Sequence, residues 1–218
     1  SVLQSPVIVP GVTTVQAVYG EAPGSDPKRI PVDLDIYVDA SGSMPNPGVS
    51  VSYLALAGTI LALSALRAGA TVQATLWSGP KEFETTGGFI REENEILGVI
   101  TGAIGRSTAF PLHILRDTYE ARSIPKAGPA HIVVISDDGA DTMLQNDEHG
   151  QPGEAICVRA LQRAGSGGTL VLNLLQNSGW RAQEKMEQIG FVVNRVSRWE
   201  DLVQFARDFV RRVYRSND

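Results

Sequence analysis

Three hard oxygen donors, Asp39, Ser41 and Ser43, lie within the five residues DASGS, directly after the run IPVDLDIYV at residues 30–38. A carboxylate and two hydroxyls with no imidazole or thiolate beside them suit magnesium or manganese and disfavour zinc. One loop offers too few ligands for an octahedral ion, so further donors have to come from elsewhere in the chain. Two segments supply candidates. GRSTAF, residues 105–110, carries Thr108, and DDG, residues 137–139, follows the run HIVVIS directly. Counting from the end of that run favours Asp137 as the donor, since it occupies the slot after Ser136; Asp138 is the alternative.

The elements that must hold these donors alternate between strand and helix. IPVDLDIYV reads as a strand and residues 50–67 as a long helix, followed by a strand at ATVQATLW (70–77). KEFETT and GGFI are polar and short, suited to an edge strand or hairpin. ENEILGVITGA and AFPLHILRDTYEAR read as helical, with Pro111 tolerable only in a first turn. HIVVIS is the most β-branched run and is expected to be a fully buried strand. GEAICVRALQRAG reads as a helix ending at Gly165, GTLVLNLLQ as a strand, WRAQEKMEQIG as a helix and FVVNRV as a last strand. In the final helix Trp199, Leu202, Val203, Ala206, Phe209, Val210 and Val213 recur at helical spacing, and Ser197 with Glu200 has the pattern of a capping box. This alternation predicts an α/β fold: a Rossmann-like, doubly wound, mostly parallel sheet with helices on both faces and one short antiparallel edge strand. Ligands of such sheets bind beyond the carboxyl ends of the strands where strand order reverses. DASGSM sits at such a strand end. If the first and fourth strands are neighbours, the three donor loops converge.

Composition narrows the partners. The chain has 218 residues, 43% hydrophobic and 20% charged, with a net charge of −5 and no basic cluster beyond RRVYR near its end. Nucleic acid is therefore not an expected partner. YLALAGTILALSAL, residues 53–66, is almost wholly apolar but too short for the roughly 20 residues of a membrane span, and reads as a buried helix. The lone Cys157 cannot pair internally; it reads as a small core residue and fits a cytoplasmic setting. Residues 1–29 read as an N-terminal extension, a strand or hairpin followed by the linker GEAPGSDPKR, ahead of a domain spanning 30–218. The chain starts without Met, so other domains of a longer parent chain are candidate partners. The loop 139–153 is long, acidic and next to the donors, a place where specificity or mere solvated mobility is expected.

Taken together, Asp39-Ala-Ser41-Gly-Ser43, Thr108 and Asp137 resemble the metal-ion-dependent adhesion site of von Willebrand factor type A domains, in the DxSGSM form of bacterial members. The resemblance spans about residues 30–215. It implies that Ser41 and Ser43 ligate the ion directly and that Thr108 does so in one of two conformational states. Asp39 and Asp137 would act largely through water, and an Asp or Glu of a protein partner would complete the coordination. The doubled Asp137-Asp138 departs from the family's single Asp before Gly. Met44 and Phe110 are the nearest apolar residues to enclose such a contact. The resemblance implies a non-enzymatic interaction module, as an adaptor beside a MoxR-type AAA+ ATPase or chelatase-like machine, or else an extracellular adhesion domain. A magnesium-dependent phosphotransferase of the haloacid dehalogenase type is the enzymatic alternative. Its DxD spacing occurs only at Asp33 and Asp35, inside the strand, and position 41 is Ser. Neither a P-loop nor a G-x-S-x-G elbow is present. His113, His131 and His149 are scattered and are not expected to be ligands, and Trp77 and Trp199 are expected in the core.

Overall fold

A parallel strand covered on both faces is buried on both, whatever its side chains, and the first strand shows this although its aspartates alternate with apolar residues. The computed structural model describes residues 30–105, 107–122, 128–173 and 181–214. In it β1 (Asp33–Asp39) is buried from Leu34 to its end. Leu34, Ile36 and Val38 face one hydrophobic layer, and Tyr37 the opposite one. β2 (Val72–Gly79) and β4 (Ala130–Ser136) are buried throughout. β3 (Glu82–Thr85), β5 (Gly165–Asn173) and β6 (Phe191–Val196) complete one six-stranded sheet of order β3-β2-β1-β4-β5-β6. Among these strands of the described residues, the short edge strand β3 runs antiparallel to β2, and the other strand pairs are parallel.

Helices close both faces. α1 (Tyr53–Arg67), α2 (Glu93–Ile100) and α6 (Asp201–Val213) share one hydrophobic layer; α3 (Leu112–Ala121), α4 (Gly153–Ala164) and α5 (Arg181–Ile189) share the other. Small residues let α1 lie close to the sheet. A Cβ at Gly58 would come within 2.9 Å of Ile100 Cγ2, so α1 and α2 meet at a distance that a side chain there would prevent. Ser52 caps α1, its hydroxyl accepting from Ala55 N at 3.3 Å. α4 ends at Gly165 in the left-handed conformation (φ 77°), as the sequence predicts.

The chain leaves β1 toward β2, and after β3, α2 and α3 it returns on the far side of β1 to form β4. Strand order therefore reverses between β1 and β4. Both strands are parallel, so the loops at their carboxyl ends flank one crevice.

Local expectations fail at two helix starts. The capping box at Ser197 and Glu200 does not form: α6 begins at Asp201, and the Asp201 carboxylate takes the Arg198 N–H at 3.1 Å. No side chain caps the helix; its first amides, of Asp201, Leu202 and Val203, donate to the carbonyls of Arg198, Trp199 and Glu200 at 3.1, 3.1 and 3.2 Å. α3 starts at Leu112 with Pro111 as the flanking residue, so Ala109 and Phe110, expected in the helix, lie with Thr108 in the loop ahead of it. The expected extension at 1–29 lies outside the described residues, as do the last residues of GTLVLNLLQ. No helix among the described residues is long and apolar enough to cross a membrane.

Candidate metal centre

Asp39 is the last residue of β1, and its carboxylate is almost wholly buried. Both of its oxygens are engaged. Oδ1 accepts from Ser41 N at 2.8 Å, which turns the chain sharply after the strand, and Oδ2 accepts from Ser136 Oγ at 2.5 Å, at the end of β4. A charge-assisted bond between the tips of two neighbouring strands fixes the carboxylate's position. Burial pushes the Asp39 pKa up to about 6 despite the bonds from Ser136 and Ser41, with the charge of Asp137 adding to the rise.

The hydroxyls continue this arrangement outward. Ser41 Oγ lies 3.2 Å from Ser43 Oγ, and Ser43 Oγ donates to Asp137 Oδ2 at 2.8 Å. Asp137 is held by its other oxygen, which accepts from Gly139 N at 2.9 Å. Asp137 therefore stands where counting along the strand put it, joined to the β1 loop through Ser43.

Thr108 comes in over Gly139. A Cβ on Gly139 would sit 2.5 Å from Thr108 Cγ2, 3.2 Å from Asp39 Oδ2 and 3.3 Å from Asp137 Oδ1. Three side chains from three loops thus meet at a residue that must lack one. The structure brings together all five sequence-predicted residues, Asp39, Ser41, Ser43, Thr108 and Asp137.

The donor set suits a hard divalent cation. Magnesium binds oxygens at about 2.1 Å in an octahedron, which places neighbouring ligands about 2.9 Å apart. The Ser41–Ser43 oxygen separation of 3.2 Å is close to such an edge, and the bond that Ser43 donates to Asp137 at 2.8 Å ties the second carboxylate to the hydroxyl pair. Both Asp39 oxygens already carry protein hydrogen bonds, which suits contact with an ion through water. The site offers two carboxylates among hydroxyls, and among the described residues no group of three or more His, Cys, Asp or Glu side chains is arranged to hold a metal ion. Protein charge on a cation here would be low, leaving it attractive to one further anion.

Several residues that shape the site escaped the sequence reading. Ser136 was read only as the residue before Asp137, yet it anchors Asp39. Ser78, at the end of β2, grips the Thr108 loop: Ser107 N donates to its Oγ at 3.0 Å, that Oγ donates to Ser107 O at 2.9 Å, and Ala109 N donates to Ser78 O at 3.0 Å. Thr142 Oγ1 accepts from Phe110 N at 2.8 Å and donates to Gly139 O at 2.7 Å. No motif or periodicity marks these hydroxyls.

Two expectations need correction. Phe110 does not rim the site: it is buried between Tyr37 and Trp77, with ring centroids 5.0 and 5.4 Å away. An apolar aromatic that fits the core is drawn into it. The loop 139–153 is not simply solvated. Asp138–Leu144 forms a 3-10 helix seated by buried Met143, and Asn146 bridges Pro152. The buried Asp147 carboxylate accepts from His149 N and Gln151 N and pairs with Arg116 of α3. The histidines are used elsewhere. His131 bonds Ser166 O and Thr169 Oγ1, His113 meets Phe83 edge to face, and His149 lies beside Glu148. Trp77 is buried and Trp199 packs partly buried on the layer of α1 and α6.

No protein-family model matches the chain, and no curated protein matches it in sequence. Solved structures do match in fold. The pilus adhesin SpaC of Lactobacillus rhamnosus GG, in its open conformation, is 12% identical with a TM-score of 0.59, over 86% of this chain and 30% of that one. The von Willebrand factor domain of the type V pili tip protein Mfa5 from Porphyromonas gingivalis is 10% identical with a TM-score of 0.56, over 87% of this chain and 98% of that one. A von Willebrand factor type A protein from Catenulispora acidiphila is 17% identical with a TM-score of 0.50, over 83% of this chain and 42% of that one. The chain therefore has the fold of von Willebrand factor type A domains, and spans less than half the length of SpaC and of the Catenulispora protein.

Proposed function

We propose that this domain is a metal-dependent protein-interaction module. A magnesium or manganese ion would be held by Ser41, Ser43 and Thr108, with Asp39 and Asp137 steadying it through water. An Asp or Glu carboxylate of a partner protein would bridge to it. The observation that carries the reading is the meeting of Asp39, Ser41, Ser43, Thr108 and Asp137 at the crevice between β1 and β4. When bound, the ion supplies electrostatic attraction for a hard anionic oxygen. The protein's own part is to preset the oxygens, keep its charge contribution small and leave a position open. A non-catalytic role is part of the proposal. The three histidines have other neighbours, His131 at Ser166 O and Thr169 Oγ1, His113 against Phe83 and His149 beside Glu148, so the proposal assigns none of them to Ser41 as a base.

Two settings suit such a module. An intracellular adaptor beside a MoxR-type ATPase is the reading that accompanies a reduced, buried Cys157, whose thiol burial pushes up to about 12. An adhesion domain is the second reading, supported by the pilus adhesin and pilus tip protein among the structures of like fold. Fractionating cells of the source organism, with an antibody to the domain, separates them.

The bridge itself is tested with the native protein and Ser41→Ala/Ser43→Ala. Calorimetry is expected to show magnesium binding to the first and a loss of at least about a hundredfold in the second. Partner capture in magnesium should disappear in EDTA and with the double variant, while circular dichroism is unchanged. Equal magnesium affinity of the two proteins would remove the site; equal capture in all three conditions would remove the bridge.

A further inference from the structure

Thr142 is not among the proposed donors, yet its hydroxyl joins the two loops that carry Thr108 and Asp137. It accepts from the amide two residues after Thr108 (Phe110 N, 2.8 Å) and donates to the carbonyl two residues after Asp137 (Gly139 O, 2.7 Å). Both bonds are of ordinary length; the bond to Gly139 O uses the hydroxyl's single proton, and the one from Phe110 N uses a lone pair. We infer that Thr142 is a positioning residue for the cation site, a latch that sets where Thr108 stands relative to Asp137. The inference rests on the cation reading above.

The surroundings make a latch of this bond and not an incidental contact. Thr142 is β-branched, which restricts its rotamers, and it sits in the 3-10 helix Asp138–Leu144 beside Met143, which is fully buried. Gln145 N closes on Thr142 O at 3.1 Å, which fixes the carbonyl end of the residue that presents the hydroxyl. On the other side, Ser78 holds Ser107 and Ala109. Phe110 is seated between Tyr37 and Trp77. Thr108 is thus an exposed side chain on a backbone pinned on either side, and the Thr142 hydroxyl is the fastening that reaches across to the Asp137 loop. For Thr108 to change its distance from Asp137, the Phe110 N–H must leave Thr142 or the 3-10 helix must move with it. A site so fastened is preset in one arrangement, in contrast to the two states that the family resemblance implies. Removing the hydroxyl leaves Phe110 N and Gly139 O without this partner and frees the two loops to drift apart.

The test compares Thr142→Val, which keeps the shape and loses the hydroxyl, with Thr142→Ser, which keeps the hydroxyl. Two readouts are used: magnesium affinity by calorimetry, and amide hydrogen exchange at Phe110 in metal-free protein. The valine variant is expected to bind magnesium about tenfold more weakly and to exchange the Phe110 amide at least about tenfold faster, as outer-shell partners of metal ligands do when removed. The serine variant should stay within about twofold of the native protein in both readouts. If the native protein binds no magnesium, the cation reading falls, while the exchange result still decides whether the latch exists. Phe110 exchange unchanged in the valine variant would overturn the latch. Faster exchange with unchanged magnesium affinity would overturn its role in positioning. Equal losses for valine and serine would assign the effect to packing, again overturning the proposal. Should Thr142→Val fail to fold by circular dichroism, Thr142→Ala replaces it with the same expected outcomes.

Discussion

Asp39 and Asp35 lie on the same strand and the same face of the sheet, four residues apart, and both are buried. Burial raises both, to about 6 for Asp39 and about 7 for Asp35. Their surroundings differ completely. Asp39 sits at the strand tip with both oxygens bonded, to Ser41 N and Ser136 Oγ. Asp35 sits mid-strand beneath α3, and neither oxygen has a hydrogen-bond partner. The Tyr119 and Tyr37 hydroxyls and Gln73 ease its charge without reaching hydrogen-bond geometry, and the Gln73 amide is spent on Thr118 at 2.8 Å. Arg122 lowers it from a distance but is paired with Asp33 at 2.7 Å. Burial and a raised pKa therefore do not identify a binding carboxylate. What separates the two is whether fixed donors hold the charged form in place, and only the strand tip, where loops converge, supplies them.

The largest effect expected from this comparison is at Asp35. Its folded pKa of about 7 exceeds the model-peptide value of 3.8. Its contribution to stability is therefore fully present below about pH 4 and is lost as pH rises through 7. Asp35→Asn removes that titration. The variant should be more stable than the native protein at pH 8, by up to about 4 kcal/mol, and the gap should close as pH falls toward 4. Urea melts across this range measure it. A gap independent of pH would mean that Asp35 stays ionised in the fold, held by donors after all, and the contrast with Asp39 would dissolve.

Ser136→Ala tests the other half of the comparison. Without the Ser136 hydroxyl, Asp39 loses the bond that most lowers its pKa and should move above 6, toward the condition of Asp35. Protons compete with a cation for the carboxylate, so native magnesium affinity should fall as pH drops through 6. The variant should lose about tenfold more at pH 6, with a smaller deficit at pH 8. Calorimetry at both values decides it. Equal deficits would assign Ser136 a packing role; no deficit would take Asp39 off the cation.

Much of this was legible before any coordinates, and the failures have physical causes. Strands buried on both faces leave unbroken apolar runs, so HIVVIS was recognisable, and FVVNRV matches β6 residue for residue. The donors were legible because their types are rare together at strand ends. The hydroxyl fastenings were not. Ser78 and Thr142 reach their partners across 29 and 32 residues of sequence, and serine or threonine in isolation signals nothing. The pattern at Ser197 misleads because a tight backbone turn ahead of α6 supplies carbonyl acceptors to the helix's first amides and leaves a cap nothing to do. Asp35 was visible as a charge within a strand, but its lack of partners depends on what α3 lays over it.

The smallest effect is expected at Gly139, where the site's loops are in closest contact. Its backbone is not in the left-handed region, so alanine brings no conformational strain of its own. The added Cβ would nonetheless lie 2.5 Å from Thr108 Cγ2, and 3.2 and 3.3 Å from Asp39 Oδ2 and Asp137 Oδ1. Thr108 is the exposed member of the three, so it should yield, moving outward while the carboxylates keep their bonds. Gly139→Ala should then weaken magnesium binding about fivefold, near the lower limit of what overpacking costs. Gly88→Ala, in open space, serves as the neutral control. The cause is separable by adding Thr108→Val. If the alanine acts by displacing Thr108, the double variant should bind no more weakly than Thr108→Val alone, because contacting residues do not act additively. Strictly additive losses would show that the alanine disturbs Asp39 or Asp137 instead, and the strand-tip carboxylate would be less firmly held than its two hydrogen bonds imply.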